Sequence, residues 1–203
     1  MKEIYIDSKK NERPQINIKV QRVEPSVWRK LGFYKHHYLT AELNPSCKCL
    51  LFTWENQPIA FAAILNTPRK GVPYGCAISR LVINPDFQGL GLSIKIANFC
   101  GGIIKSLSTE EKDFELYIKT AHRKMGEGLS RNKNWEGTTF DGKGRTKEST
   151  ECEGKRYANR LIRKSYCKKY VGNVIDGYQD ILLPIKEMRN NNVNEFMKLV
   201  CSN

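Results

Sequence analysis

Residues 79–93 read Ser-Arg-Leu-Val-Ile-Asn-Pro-Asp-Phe-Gln-Gly-Leu-Gly-Leu-Ser, and this stretch decides the fold. The apolar run that ends at Ile83 is typical of a strand covered on both faces, and Asn84-Pro85-Asp86 stops it. From Gly89 to about Leu107, apolar residues recur at steps of three and four, which is typical of an amphipathic helix. The stretch therefore predicts a strand, a glycine loop and a helix in succession.

The glycine loop has the composition of a phosphate cradle. Gly89 and Gly91 would let backbone amides approach an oxyanion closely, and the start of the helix adds positive potential. The loop is neither the G-x-G-x-x-G of dinucleotide folds, because residue 94 is Ile, nor a P-loop, because no G-K-[ST] follows. A purely structural turn between strand and helix is the alternative interpretation.

The flanking patterns predict a mixed α/β protein. Before the loop they indicate a strand, two short helices and a hairpin: Gln15–Val23, Trp28–Phe33 with Ser26 as its cap, His36–Leu43, and Lys48–Trp54 with Pro58–Leu65. After it they indicate a strand, a helix, an irregular loop, a basic stretch and a last strand: Phe114–Thr120, Ala121–Asn132, Asn134–Gly154, Arg156–Val171 and Tyr178–Ile185.

The phrase from Ser79 to Ser93 resembles motif A of the GNAT acetyltransferase superfamily, in which Q/R-x-x-G-x-G/A follows a strand. The resemblance implies an α/β GNAT fold, with a central mixed, mostly antiparallel sheet flanked by helices and strands splayed at the cofactor site. It also implies acetyl-CoA or a related acyl-CoA as cofactor. The cofactor-binding residues that it implies are Leu81, Val82 and Ile83 beside the pantetheine arm, and Gln88, Gly89, Leu90, Gly91, Leu92 and Ser93 at the pyrophosphate.

The GNAT scaffold does not fix the catalytic residues, so candidates come from residue chemistry. Histidine titrates near neutrality and tyrosine can donate a proton, but adjacent helical histidines point about 100° apart, so only one of a pair enters a given site. An arginine inside an apolar strand must be paired, either with a carboxylate such as Glu42 or Asp113 or with an anionic group in the cleft. The candidates are His36, His37, Tyr38, Arg80, Thr120 and His122.

A narrower resemblance concerns four short runs. His36-His37-Tyr38-Leu39, Pro58–Ala62, Ser79-Arg80-Leu81 and Tyr170-Val171-Gly172 are similar to phage-associated GNAT-like proteins that include the Mom DNA-modification enzymes. This resemblance implies modification of the exocyclic amine of adenine, with His37, Tyr38 and Arg80 in the cleft. It also brings in iron as a candidate cofactor. The segment Gly126–Gly154 departs from the pattern and leaves the substrate contacts open.

The charge of the chain favours a polyanionic partner. The net charge is +13 with a pI near 9.4. Between Lys119 and Tyr170 there are fifteen Lys and Arg residues against six Asp and Glu residues. Such an excess gives salt-sensitive affinity for nucleic acid, here DNA, and a duplex target base would have to be flipped out. Solvated lysines without a partner are the alternative.

The chain has the length and composition of a single domain over residues 1–203, with a basic, partly irregular region from about 123–172. Met1–Pro14 has no apolar signal region and no apolar run reaches about 18 residues, so we expect a cytoplasmic protein without a membrane segment. Seven cysteines favour reduced thiols. Cys47-Lys48-Cys49 lacks the second pair that a structural zinc site needs.

Three functions compete at this point. The leading hypothesis is a GNAT-fold transferase that modifies a nucleic-acid base, and the alternative is an acetyl-CoA-dependent N-acetyltransferase acting on a small-molecule amine or a protein. The third is a catalytically inactive scaffold that binds nucleic acid. The sequence leaves open the transferred group, the metal requirement, any base-sequence specificity and the oligomeric state.

Overall fold

A computed structural model describes residues 17–37, 42–143, 164–183 and 197–200. Within those residues, eight strands form one sheet: β1 Asn17–Val23, β2 Lys48–Trp54, β3 Gln57–Asn66, β4 Gly75–Ile83, β5 Glu115–Thr120, β6 Trp135–Gly137, β7 Tyr166–Tyr170 and β8 Met197–Val200. The helices are α1 Val27–Lys30, α2 Leu92–Lys105 and α3 Arg123–Arg131, with 3-10 helices at Phe33–His36, Pro85–Phe87 and Gln179–Leu182.

The sheet is mixed and mostly antiparallel, as the sequence predicts. Its strand order is β6-β7-β5-β4-β3-β2-β1-β8. β4 and β5 are parallel, from Gly75 opposite Glu115 to Ile78 opposite Ile118. The β1–β2, β1–β8, β5–β7 and β6–β7 pairs are antiparallel. The parallel pair requires a crossover, which α2 provides.

The described residues form two compact units, and β3, β4 and α2 each contribute residues to both. The first unit comprises residues 17–37, 42–63, 80–95, 180–183 and 197–200. Its core includes Phe61, whose ring lies 5.3 Å from the Trp28 ring and 5.5 Å from the Phe33 ring. α1 and the following 3-10 helix are each only four residues long, so aromatic packing against the sheet holds them in place.

The second unit comprises residues 64–79, 96–143 and 164–179. One face of its part of the sheet packs on α2, where the Trp135 indole N–H donates to the Asn98 side chain at 2.7 Å. A Cβ on Gly101 would lie 2.3 Å from the Tyr170 ring, so only glycine lets α2 approach β7 this closely. A Cβ added to Gly126 of α3 would likewise lie 2.1 Å from the Tyr166 ring.

The hairpin that the sequence predicts is present. β2 and β3 are neighbours joined by Glu55 and Asn56, both with positive φ, at 49° and 66°. Two positive φ angles in a two-residue connection are the mark of a type I′ turn, which matches the twist of the strands. The predicted strand before the glycine loop, the long helix and the strand and helix after it are also present, as β4, α2, β5 and α3.

Three local predictions are wrong. The predicted helix at His36–Leu43 fails because His37 is extended, with φ −110° and ψ 134°, and residues 42–43 are not helical; residues 38–41 lie outside the described residues. Ser26 precedes α1 but makes no side-chain capping bond. The last predicted strand, Tyr178–Ile185, contains the 3-10 helix Gln179–Leu182 instead.

The predicted irregular loop Asn134–Gly154 begins with an ordered strand, β6, and its residues from 144 onward lie outside the described part. The described cysteines are all buried and unbridged: Cys47, Cys49, Cys76, Cys100 and Cys167. Cys152 and Cys201 fall outside the described residues. None of the helices within the described part has the length and apolar character needed to cross a bilayer.

Candidate functional site

The glycine loop adopts backbone conformations that side chains resist. Gly89 has φ +89° and Gly91 has φ +73°. A Cβ on Gly89 would have no heavy atom within 4 Å, so the space beside this backbone is open. Gln88, Gly89 and Leu90 are exposed, and Leu90 presents 47% of its surface. The loop therefore offers uncrowded backbone to an incoming group.

Asn84, which follows β4, holds the loop to the start of β3. Its backbone N–H donates to the Ile59 carbonyl at 2.8 Å, and its side-chain amide donates to the Pro58 carbonyl at 3.3 Å. The Asn84 side-chain oxygen accepts from the Asp86 N–H at 3.4 Å. The sequence alone indicates Asn84 only as a strand stop and misses this anchoring role, although an Asn before Pro-Asp is a known turn former.

Two further contacts fix the loop. The Gln88 side-chain amide donates to the Ile83 carbonyl at 3.2 Å, which folds the loop back on the strand that precedes it. The Phe87 ring meets the Trp54 ring edge to face, with centroids 6.0 Å apart. The loop geometry is thus set by neighbouring residues before any ligand binds.

Helix α2 starts directly after Gly91, at Leu92, with Ser93 in its first turn. The first amides of a helix have no intrahelical acceptor, and the helix dipole makes this end positive. No acidic side chain occupies the first turn of α2 to cancel that potential. This arrangement fits a diphosphate, which needs N–H donors and positive potential but no bulky side chain.

Of the predicted pantetheine-side residues, Val82 is buried, with 4% of its surface exposed, whereas Leu81 and Ile83 are partly exposed. The pairing of β4 with β5 runs as far as Ile78 opposite Ile118, so residues 81–83 extend past the last pair.

His36 borders a small cavity of the first unit. The cavity has a volume of about 110 Å³ and is lined by Leu31, Phe33, His36, Pro58 and Asn84. His36 is exposed at the end of its 3-10 helix. Its volume is well below the roughly 300 Å³ at which ligand pockets usually begin, so it does not by itself indicate a ligand site.

His37 and Arg80 lie close together in the same unit. Burial, followed by the positive charge of Arg80, lowers the pKa of His37 to about 4. The His37 ring meets the Trp28 ring edge to face, with centroids 5.8 Å apart. His37 is therefore a neutral imidazole at physiological pH and can accept a proton but not supply one.

Arg80 does not pair with the Glu42 carboxylate, which is one of the partners that the sequence suggests. Its Nη2 donates to the Glu42 backbone carbonyl at 2.9 Å. The Glu42 carboxylate instead accepts from Arg29 at 2.6 Å. A bond to a backbone carbonyl is not the carboxylate pairing that the sequence suggests, because it depends on the path of the chain at residue 42.

Thr120 and His122 lie in the second unit, where β5 passes into α3. Thr120 is 7% exposed, and its hydroxyl accepts from the His122 N–H at 3.0 Å. His122 is the N-cap of α3, and its Nδ1 accepts from the Met125 N–H at 3.2 Å. The two side chains thus build the start of a helix, which leaves the His122 Nε2 for other contacts.

Tyr38 lies outside the described residues. Within the described part, no group of three or more His, Cys, Asp and Glu residues could hold a metal ion. The described residues therefore offer no support for the iron that the narrower resemblance brings in.

Comparison with solved structures places the fold. The ribosomal-protein-S18-alanine N-acetyltransferase of Escherichia coli is similar with a TM-score of 0.51 and 10% identity, over 79% of this chain and 97% of that one. A Bacillus subtilis acetyltransferase in complex with CoA is similar with a TM-score of 0.53 and 9% identity, over 76% of this chain and 99% of that one. No protein-family model and no curated protein sequence matches the chain. The likeness confirms the GNAT fold that the motif implies.

Proposed function

We propose that this chain, with the fold of the GNAT acetyltransferases, is an acyl-CoA-dependent N-acyltransferase. The observation that carries the proposal is the loop Gln88–Ser93, with two positive-φ glycines in front of the positive end of a helix. The B. subtilis structure of the same fold holds CoA. Backbone amides of Gln88–Ser93 would bind the pyrophosphate, and Leu81–Ile83 would lie along the pantetheine arm.

Acyl-CoA would supply an activated thioester, and the chain would supply position and proton transfer. An acceptor amine attacks the carbonyl carbon, so an N–C bond forms, the C–S bond breaks, the amine loses a proton and the thiolate gains one. His37 is the proposed proton acceptor, because it is neutral near pH 7, although a pKa of about 4 makes it a weak base. The donor must be another group, and Tyr38 is the candidate from sequence.

Calorimetric titration with acetyl-CoA tests the cradle. Gly89→Ala should weaken binding at least tenfold, because a methyl group would stand where a phosphate must approach the backbone. Gly71→Ala is the matched control, since Gly71 also has positive φ, at +79°, and a Cβ added there would have no atom within 4 Å. Both variants carry the same kind of backbone strain, so equal binding by both would contradict the cradle. Gly91→Trp should abolish binding.

A second candidate concerns the acceptor: a nucleic-acid base, in particular the exocyclic amine of adenine in DNA. The basic charge of the chain supports it, together with the resemblance of the four short runs to Mom-like proteins. Mass spectrometry of nucleosides from cells that express the protein should then reveal a modified adenine, which is absent when the Gly91→Trp protein is expressed at the same level. If the nucleosides are unmodified, a small-molecule or protein amine remains as the acceptor, and a panel of amines then tests which of them is acylated.

The third interpretation, a scaffold that binds nucleic acid without catalysis, predicts a different pattern. Such a protein would bind an oligonucleotide but would neither bind acetyl-CoA nor release free CoA thiol with any amine. Thiol detection in the same titrations separates it from both transferase candidates.

A further inference from the structure

The turn after β6 presents an aromatic ring to solvent. Phe140 has 65% of its surface exposed, more than the other large exposed hydrophobic residues of the described part, which range from 44% to 47%. An isolated exposed apolar residue is common and needs no explanation by itself. Its setting in the second unit is what makes Phe140 informative.

The turn that carries Phe140 is rigidly held. The Thr138 N–H donates to the Cys167 carbonyl, the Asp141 N–H to the Thr138 carbonyl and the Gly142 N–H to the Ser165 carbonyl, each at 2.9 Å. The Phe140 N–H donates to the Thr138 hydroxyl at 3.3 Å. The ring is therefore displayed by a fixed backbone and not by a loose loop.

A partly buried ion pair fixes the same turn to β7. The Asp141 carboxylate accepts from the Lys168 ammonium at 2.7 Å and from the Cys167 N–H at 2.8 Å. The Lys168 side chain is 7% exposed. Buried ion pairs add little net stability, but their geometry is demanding, so this pair specifies the position of the turn.

Two exposed lysines lie at this turn. The Lys143 ammonium lies 5.6 Å from the centre of the Phe140 ring. Lys164 lies across the turn, where its Cε would be 3.2 Å from a Cβ on Gly142, and its ammonium is 5.7 Å from the Tyr166 ring. Both lysines belong to the basic region and are exposed. The fixed ring thus has the Lys143 ammonium beside it, and Lys164 adds a second positive charge at the same turn.

We propose that this Phe140 turn binds an unpaired segment of nucleic acid, with Phe140 stacked on a base and Lys143 and Lys164 at the neighbouring phosphates. Proteins that bind single strands combine aromatic platforms with basic side chains in this way. An acidic peptide would satisfy the lysines but offers a planar π-face only where it carries an aromatic residue, whereas every nucleic-acid base has one. The inference rests on the proposed nucleic-acid partner and extends it to a contact surface of the second unit.

Fluorescence anisotropy with a short labelled oligodeoxyadenylate tests the stacking. Phe140→Ala should weaken binding about tenfold, and Phe140→Trp should restore it. Val174→Ala, at a residue of the same unit with 44% exposure, is the matched control and should change nothing. Circular dichroism checks the fold of each variant. Because Phe140 is exposed, we expect its substitution to leave the fold intact.

A strand of the same length with abasic sites separates stacking from charge. Phe140→Ala should have no effect on binding of the abasic strand. Lys143→Gln should weaken binding of both the abasic and the intact strand. The exposed control Lys112→Gln should weaken binding of neither strand. An equal loss on the abasic strand, or a polyglutamate peptide that shows the same dependence on Phe140, would overturn the proposal. Normal binding of oligodeoxyadenylate by Phe140→Ala refutes the proposal alone, and no binding by the unaltered protein refutes the nucleic-acid partner as well.

Discussion

His37 shows how a residue type acquires its chemistry from its neighbours. The sequence shows two adjacent histidines, His36 and His37, and does not distinguish between them as catalytic candidates. The structure separates them: His36 is exposed at a cavity edge, whereas His37 packs on Trp28 beside Arg80. Burial and a nearby cation both disfavour the imidazolium, so His37 is held neutral.

We expect His37 to make stability depend on pH. Its pKa is about 4 when folded and about 6.5 when unfolded, so between these values the unfolded chain binds a proton that the folded chain does not. Stability contributed by neutral His37 is complete above about pH 6.5 and is lost as the pH falls towards 4. With allowance for partial exposure, the loss is roughly 1 to 2 kcal/mol.

Urea unfolding at about pH 7 and about pH 4.5 measures this loss. The His37→Gln protein should lose less stability than the unaltered protein between the two values. Because Arg80 is the second cause of the shift, Arg80→Gln should reduce the pH dependence partially. An identical pH dependence in the unaltered and His37→Gln proteins would show that His37 is protonated in the folded state.

At the scale of elements, the position of the β2–β3 hairpin could be predicted, but its turn contains a residue that is unfavourable at positive φ, Glu55. Glu55 sits at φ 49°, a region that glycine, asparagine and aspartate tolerate far better than glutamate. The favoured first residue of a type I′ turn is asparagine or aspartate. The turn therefore retains some strain at Glu55.

Glu55→Asn should stabilise the protein by about 0.5 kcal/mol, because the new residue suits the left-handed conformation. Thermal unfolding followed by circular dichroism measures the shift. Glu55→Val, which is β-branched and poorly suited to positive φ, should lower the melting temperature. A lower melting temperature for Glu55→Asn would mean that the glutamate side chain contributes more than its backbone strain costs.

The contact between α3 and β7 depends on a helical glycine. Gly126 lies against the Tyr166 ring, where a Cβ would approach to 2.1 Å. Helical propensity alone favours alanine at this position, so the sequence by itself offers no reason to keep glycine. The close approach of the ring supplies that reason.

Gly126→Ala should destabilise the protein by about 1 to 3 kcal/mol through overpacking. In a Tyr166→Ala background the same change should cost nothing, or stabilise α3 by up to about 1 kcal/mol, because the clash is gone and alanine favours the helix. Urea unfolding of the four proteins gives the coupling energy. Additive effects in this cycle would place the cost of alanine elsewhere than in the Tyr166 contact.

At the scale of the whole molecule, the dominant property is the net charge of +13. Some of the basic residues are neutralised internally, as Lys168 is by Asp141 and Lys169 by Glu115. Others, such as Lys119, Lys124 and Lys133, are exposed. The structure therefore reduces the charge that is free to meet a polyanion, but it leaves a substantial part on the surface of the second unit.

If nucleic acid is the partner, its affinity should fall at least tenfold between about 50 and 200 mM salt, because each phosphate contact releases counterions. Anisotropy titrations with one oligonucleotide at several salt concentrations measure the slope. The Lys143→Gln protein should show a shallower slope than the Lys112→Gln control. Affinity that stays level across this range would exclude phosphate contacts as the reason for the basic charge.

Elements with strong local patterns could be predicted, and those that depend on distant partners could not. β2, β3, β4 and α2 follow from period, turn residues and glycines. β8, by contrast, is a short strand whose partner is β1, from Asn17 opposite Val200 to Val20 opposite Met197. No local sequence pattern predicts such a pairing, because the partner strand comes from the other end of the chain.

The candidate site divides in the same way. The glycine loop Gln88–Ser93 could be predicted because positive φ and close approach are properties of glycine itself. The anchoring by Asn84, the bond from Arg80 to the Glu42 carbonyl and the cap formed by His122 could not, since each depends on which backbone atoms lie within reach of a side chain.

The sequence by itself determined the strand, glycine loop and helix around residues 79–93, the hairpin and the basic charge, because these arise from neighbouring residues and from composition. Only the tertiary structure decided that His37 is held neutral, which turn presents an exposed ring and where glycines admit aromatic side chains. Burial, pKa and close packing are set by residues far apart in the chain, and those residues meet only when the sheet has formed.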